Sequence, residues 1–177
     1  DWFLNRLSPA AQVRLLPEIL LDTAFVDIET TGLSRARDRI TAISVFRAET
    51  VSVRVAGIDL EGFLDDIAGA RLLCTFNGRN FDLPFLRKAF DIDLSGPHID
   101  IMETARDFGF YGGMKKLESR FGFKRPNGGG LVGADAPVLW QRFRQSSDMD
   151  ALKTLLRYNA EDAWMLGRLA SKFYRMS

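Results

Sequence analysis

The stretch "FVDIETTGL", Phe25 to Leu33, starts as a buried β-strand and then places Asp27 and Glu29 where more apolar residues belong. Strand residues two apart share a face, so Phe25, Asp27 and Glu29 point one way while Ala24, Val26 and Ile28 point the other. Two carboxylates on one face repel each other and lose hydration, which is tolerable if a cation sits between them or if the strand end is open to water. The Asp-x-Glu pattern alone does not decide, because "DLE" at Asp59 to Glu61 repeats it and reads as a helix start with solvated acids. Context separates the two. Only the first closes an apolar strand, and it runs into Thr-Thr-Gly, a tight loop where backbone can approach a ligand.

Three β-like runs, Thr23 to Glu29, Arg39 to Phe46 and Thr50 to Val55, are joined by links too short for a crossover helix, so they predict an antiparallel meander. Ile58 to Ile67 reads as a helix, Arg71 to Phe76 as a buried strand, Leu83 to Phe90 as a helix, and His98 to Asp100 as a short strand. The remainder is helical. This order predicts an α/β fold with a mixed five-stranded sheet, its first three strands antiparallel, flanked by helices. Ahead of it, "SPAAQVRLLPEIL", residues 8 to 20, opens with a Ser cap and a Pro in the first turn and reads as a short helix. We therefore divide the chain into an N-terminal helical extension, 1–21, and one domain, 22–177. "RPNGGG", Arg125 to Gly130, is the one obvious flexible loop, and there is no internal repeat.

Two further acids stand out. Asp82 in "NGRNFDLPFL" follows a strand and an Asn77-Gly78 turn, and precedes a helix with Pro84 in its first turn; in isolation it reads as an N-cap. Residues 151–173, taken as one helix at about 100° per residue, put Ala151, Leu152, Leu155, Met165, Leu166, Leu169, Ala170 and Phe173 on one apolar arc. Lys153, Arg157, Glu161, Arg168 and Lys172 fall opposite, with Glu161 solvated and Trp164 packed on another segment or part of an interaction surface. Tyr158 and Asp162 lie inside the apolar arc, four residues apart. An acid there needs a metal or a partner such as a Tyr hydroxyl or an Arg.

Four inward acids on three elements, Asp27, Glu29, Asp82 and Asp162, together with Tyr158, suit two hard cations, Mg2+ or Mn2+, which prefer carboxylate oxygen and water. A two-metal site can stabilise both the attacking and the leaving oxygen of phosphodiester cleavage. Other chemistries lack their residues: there is no phosphate-binding Gly-x-x-x-x-Gly-Lys loop, no Gly-x-Ser-x-Gly elbow, and the single His98, read as satisfied within its strand, makes no His-rich zinc site. Asp100 opens "DIME" as a helix cap, with metal binding the alternative. Cys74, the single cysteine, reads as a small buried hydrophobe.

With 46% hydrophobic and 27% charged residues, the 177-residue chain has ordinary globular proportions. No apolar run reaches the length of a membrane span and no secretory signal opens the chain, so a soluble cytoplasmic protein is expected. The start at "DWFLNRL" without methionine suggests an artificial boundary or a domain cut from a longer chain. The formal charge of +1 does not advertise nucleic acid. With the four acids neutralised by metal, 24 basic residues would face 19 acids, a mild excess compatible with a phosphate-bearing partner.

In this order and spacing the residues resemble the DEDD superfamily of 3′–5′ exonucleases, on the ribonuclease H-like three-layer fold. "DIETTG" is similar to its first motif, "NGRNFDLPFL" to its second, and "YNAED" to the Tyr-x-x-x-Asp third motif of the DEDDy branch. "TFNGRNFDLPFLRKAF", "HIDIMETAR", "GGMKKLESRFGF" and "RYNAEDAWML" resemble the YprB-like predicted-exonuclease branch, over about residues 22 to 173. The resemblance implies that Asp27, Glu29, Asp82 and Asp162 hold two divalent metals, Asp27 bridging them, and that Tyr158 orients the attacking water or also helps deprotonate it, orientation being favoured by the ordinary phenol pKa of ~10. It implies that Thr30, Thr31, Gly32 and Leu33 meet the terminal nucleotide of a single-stranded DNA or RNA 3′ end. Asn77 matches a position near the substrate or shapes its turn. Lys115 and Lys116, with Lys124 and Arg125, are candidate phosphate contacts, a solvated face being the alternative for each. Two other functions stay open: a non-catalytic nucleic-acid-binding module of a larger protein, and a metal-dependent endonuclease.

Overall fold

The computed structural model describes residues 7–15, 22–126 and 130–177. Five strands form one sheet: β1 Thr23–Thr30, β2 Ile40–Arg47, β3 Thr50–Val55, β4 Leu72–Thr75 and β5 His98–Asp100. Their spatial order is β3-β2-β1-β4-β5. The meander β1-β2-β3 is antiparallel, and β4 pairs parallel with both β1 and β5. The sheet is therefore mixed, as the short and long connections require.

Strand alternation in β1 divides the core. Ala24, Val26 and Ile28 join Ile43, Val45, Phe63, Phe85 and Leu86 on one side. Phe25 joins Leu72, Cys74, Ile99, Leu166, Leu169 and Phe173 on the other. Around the sheet lie the helices α1 Pro9–Gln12, α2 Phe63–Ile67, α3 Asp82–Phe90, α4 Ile101–Asp107, α5 Met114–Arg120, α6 Ala136–Ser146 and α7 Met149–Tyr174. Every residue of the apolar arc expected on α7 is buried. Gly167 permits the close approach of α7 to the sheet, since a Cβ there would stand 2.7 Å from Phe46 Cε1.

Several local expectations change. The Ser8 hydroxyl does cap α1, accepting from Ala11 N at 3.3 Å, but the α-helix ends at Gln12 and continues as a 3-10 turn over Val13–Leu15. The rest of that expected helix, 16–20, lies outside the described residues. The helix expected over 58–67 is a 3-10 turn, Leu60–Gly62, followed by α2. Asp59 is not simply solvated: its carboxylate accepts from Val55 N at 2.9 Å and from Arg54 at 3.2 Å. Asp82 is the first residue of α3 rather than its cap, and Phe81 in the cap position offers no side-chain bond. Glu161, expected in solvent, is buried. Arg125, placed in a flexible loop, is buried as well, while 127–129 of that segment lie outside the described residues. Among the described residues no helix is long and apolar enough to cross a membrane.

The register positions the acids. Pairing of β1 with β4 stops at Phe25 opposite Cys74, and β4 ends at Thr75, so Asp27 and Glu29 overhang beyond the parallel pair. A register shift between Glu29 and Thr30 marks the same end on the β2 side. The chain leaving β4 turns at Asn77, which has a positive φ of 60°. Gly78 follows because a Cβ there would collide with Thr75 Oγ1. Asp100 fastens this turn from β5, accepting from Asn77 N at 2.8 Å, Arg79 N at 3.2 Å and Met102 N at 3.0 Å. The bond from Met102 N is its helix cap, and the other two tie β5 to the turn.

Candidate metal centre and active site

The overhang of β1, the turn after β4 and the middle of α7 converge on a cavity of about 400 Å³. Asp27, Glu29, Asp82, Tyr158 and Asp162 all line it, as do Thr30, Gly32, Leu33 and Asn77. One carboxylate oxygen each from Asp27, Glu29 and Asp162 lies within 4.8 Å of the other two. Asp82 stands outside that triad but acts on it electrostatically.

The electrostatics of the cluster, four acids in a buried site, are unfavourable. Burial, then the charges of Asp162, Glu29 and Asp82, push Asp27 well above the ordinary carboxyl range, against a hydrogen bond from Asn159. Burial, then Asp162 and Asp82, raise Glu29 to about 8, with Lys115 opposing. Burial raises Asp82 to about 7, although the amides of Asp82 and Ile28 pull downward. Asp162 is raised to about 6 by burial, while Arg125 and Tyr158 lower it. A hard divalent cation supplies the charge these groups lack, and an all-carboxylate donor set fits Mg2+ or Mn2+ by type. Tyr158, desolvated and facing acids, has its pKa raised, so its phenol stays protonated at neutral pH and donates rather than accepts a proton.

Asn159, not singled out by the sequence, and Arg125 and Lys115, expected as phosphate contacts, surround the cluster. Asn159, fully buried, donates from Nδ2 to Asp27 Oδ2 at 2.7 Å and to the Asp27 carbonyl at 3.2 Å. Its own carbonyl accepts from Ser44 Oγ at 2.7 Å. Its position three residues before Asp162, inside "YNAED", is the only sequence signal for it. Arg125 donates to Glu118 at 2.8 and 2.6 Å and also lies 2.5 Å from Asp162 Oδ1. That last approach is an ion contact off the hydrogen-bond axis, since Asp162 Oδ1 has no aligned donor. Arg125 is thus committed to carboxylates. Lys115 turns its ammonium inward, buried and without a hydrogen-bond partner, 5.0 Å from the Tyr158 ring centre. Lys116 and Lys124 are exposed.

The loop after β1 is shaped by Asp38. Its carboxylate accepts from Thr31 Oγ1 at 2.9 Å and Ser34 N at 2.8 Å. Gly32 lies beneath it, where a Cβ would come within 2.7 Å of Asp38 Oδ2. Thr31 is thereby turned to Asp38 while Leu33, 84% exposed, projects at the cavity mouth. A second cavity of about 470 Å³ lies along α7 between Phe46, Trp164 and Arg168 and contains none of the four acids. Trp164 there packs on the Arg168 guanidinium, 5.0 Å away. His98, outside both cavities, meets Thr75 Oγ1 through Nε2 at 2.8 Å, while its Nδ1 has no partner.

Residues 24–174 match the model of the RNase_H superfamily. Among solved structures, the fold is similar to the family B DNA polymerase from the hyperthermophilic archaeon Pyrobaculum calidifontis, with a TM-score of 0.68 and 20% identity over 85% of this chain. The match spans only 24% of the polymerase. It is also similar to Brucella melitensis NrnC, with a TM-score of 0.59 and 24% identity over 90% of this chain and 76% of that one. At such identities the likeness concerns the fold. No curated protein matches the sequence.

Proposed function

The chain belongs to the RNase_H superfamily, and from that membership we propose that it is a metal-dependent 3′–5′ exonuclease of the DEDDy type, close to the YprB-like branch, acting on single-stranded DNA or RNA ends. The observation that carries the reading is the cluster itself: three carboxylate oxygens from β1 and α7 within 4.8 Å, beside Asp82 and Tyr158 in one cavity. In this reading Asp27, Glu29, Asp82 and Asp162 hold two Mg2+ or Mn2+ ions during turnover. When bound, those ions supply a Lewis acid for the phosphate and acidify the attacking water. Tyr158 donates its proton in a hydrogen bond that orients this water. Thr30, Gly32, Leu33 and Asn77 border the place of the terminal nucleotide, Thr31 holds the loop through Asp38, and Lys115 offers its ammonium to a phosphate oxygen. Lys116, exposed on the same helix, stays in solvent.

One observation favours a second reading. The pairing of Asp162 with Arg125 neutralises a proposed metal ligand, as would suit a module that binds nucleic acid without cutting it. Incubation of the protein with 5′-labelled single strands and Mn2+ or Mg2+ separates the two. Stepwise shortening that EDTA and Asp27→Ala abolish supports the exonuclease; retained binding with no turnover supports the module. Cleavage of circular single strands would instead identify an endonuclease.

A further inference from the structure

Trp164 stands two residues beyond Asp162 on α7, so at about 100° per residue the two project to nearly opposite faces of the helix. The acids line one cavity and Trp164 the other, of about 470 Å³. The walls of this second cavity are rings and cations. Phe123 and Trp164 flank the Arg168 guanidinium, whose carbon lies 4.4 Å and 5.0 Å from their ring centres. One turn on, Lys172 Nζ lies 5.5 Å from the Phe121 ring centre, and Arg175 lines the cavity from the exposed end of the helix. Among the described residues none of these three cations has a carboxylate or carbonyl acceptor. Arg54, Arg125 and Arg142, by contrast, each reach a carboxylate within 2.7 Å.

The exposed residues Ala48 and Glu49 edge the cavity and join β2 to β3 with φ of 47° and 65°. Asn and Gly adopt this conformation readily, so holding Ala and Glu in it costs conformational energy, as at ligand clamps. Three cations then face one acid in the lining, a net charge of +2. A phosphate monoester carries about −1.5 to −2 at neutral pH and balances it, whereas one phosphodiester of a strand carries a single charge. An aromatic wall stacks any nucleobase, and the volume falls among those of sites for single small molecules. Aromatic face, unpartnered cations and size together define a ring that bears a terminal phosphate.

We propose that this cavity is a second, metal-independent binding site for a free nucleoside monophosphate, its base against Phe46 and Trp164 and its phosphate on Arg168, Lys172 and Arg175. The site shares no acid with the nuclease reading above and stands or falls apart from it. Calorimetric titration of the whole chain in EDTA, with adenosine 5′-monophosphate, adenosine and inorganic phosphate as separate probes, tests it. EDTA leaves no metal at the acid cluster to hold a phosphate. One saturable site per chain is expected for the nucleotide, with adenosine and phosphate each weaker by about 10-fold or more, since each keeps only part of the contacts. Lys172→Gln with Arg175→Gln, outside the buried core, should weaken the nucleotide by about 10-fold or more. Ser171→Trp, which fills the cavity, should abolish its binding. Absence of saturable nucleotide binding to wild type would overturn the proposal, a result that needs no variant to fold. Phosphate as tight as the nucleotide would reduce the cavity to an anion site, and unaltered binding in a folded Lys172→Gln, Arg175→Gln chain would place the nucleotide elsewhere; either overturns it. Displacement of the nucleotide at equal affinity by a single strand lacking terminal phosphates would make the cavity a strand track and would overturn it too. A chain without nuclease activity that still binds the nucleotide in EDTA would sink the exonuclease reading and support this one.

Discussion

Asn159 ties α7 to β1 by gripping Asp27 twice, through the carboxylate at 2.7 Å and through the backbone carbonyl at 3.2 Å. The first bond aims a proposed metal ligand, and the second fixes the strand that carries it. Removing the amide leaves a buried carbonyl short of a donor, a loss of about 1–3 kcal/mol. Asn159→Ala should therefore lower stability by that amount in urea denaturation and reduce nuclease turnover by about 10- to 100-fold, the range seen when groups supporting metal ligands are removed. Ser44→Ala, which frees only the Asn159 carbonyl, should cost less on both measures. Equal effects from the two would show that the grip on Asp27 is not special.

The raised carboxyls make a signed prediction about pH. Glu29 at about 8, Asp82 at about 7 and Asp162 at about 6 each bind a proton more tightly in the folded chain than when unfolded. Their contribution is complete below the unfolded value near 4 and is lost as pH rises through the folded values. In EDTA the melting temperature should fall between about pH 5 and pH 8. Asp66, lowered chiefly by its hydrogen bonds from Arg54, has the opposite sign but acts below this window, and His98, lowered to about 4 by burial, opposes the decline only at its acid end, where the three acids outnumber it. Divalent cation favours the ionised acids, so Mn2+ should flatten or reverse the decline. A melting temperature in EDTA that climbs from pH 5 to pH 8 would contradict the described electrostatics.

Tyr158 should act through its hydroxyl proton, not through its anion. Burial, with Asp162, Glu29 and Asp27 nearby, raises its pKa, so no alkaline limb near pH 10 should appear in the rate profile of wild type that Tyr158→Phe removes. The phenylalanine variant keeps the ring beside Lys115 and Arg125 and loses the hydrogen bond. Turnover should drop by about 10-fold, corresponding to about 1.4 kcal/mol, with little change in KM. A variant that loses affinity instead would assign Tyr158 to substrate binding.

The sequence carried the sheet because alternation is a local property. Phe25, Asp27 and Glu29 against Ala24, Val26 and Ile28 follows from strand geometry alone, and the two core clusters divide along that line. The apolar arc of α7 was legible for the same reason, through the period of 3.6. Glu161 shows the limit of that period, which describes one helix and not what surrounds it; the residue lies on the expected polar side and is nonetheless buried. Asp82 misled differently. Its place before Pro84 imitates a cap, but the hydrogen bonds of the Asn77–Gly78 turn carry the chain into the helix one residue early. Arg125 and Glu118 are joined across the end of α5 and the Phe121–Gly122 turn, a separation that has no periodic signature. Asn159 was hidden by its neighbours, since Tyr158 and Asp162 already accounted for the polar residues on that face.

Lys115 and Lys116 are adjacent and chemically identical, yet only one should matter to the strand. The Lys115 ammonium is buried, lacks an acceptor and acts on Glu29; Lys116 is exposed, with its stem against Gly112. A buried ammonium without acceptors is costly, and an incoming phosphate oxygen would relieve that cost. Lys115→Met should weaken single-strand binding and reduce the slope of log affinity against log salt by about 0.7, the value for one phosphate contact on a single strand. Lys116→Ala should leave the slope nearly unchanged. Fluorescence anisotropy with a labelled strand across a salt series, in EDTA to prevent cleavage, measures both. Loss of Lys115 also removes the charge that restrains Glu29, so the acid-to-neutral fall of the melting temperature in EDTA should steepen in the same variant. If the slope is unaltered while the melting curve shifts, Lys115 serves Glu29 and does not reach the phosphate.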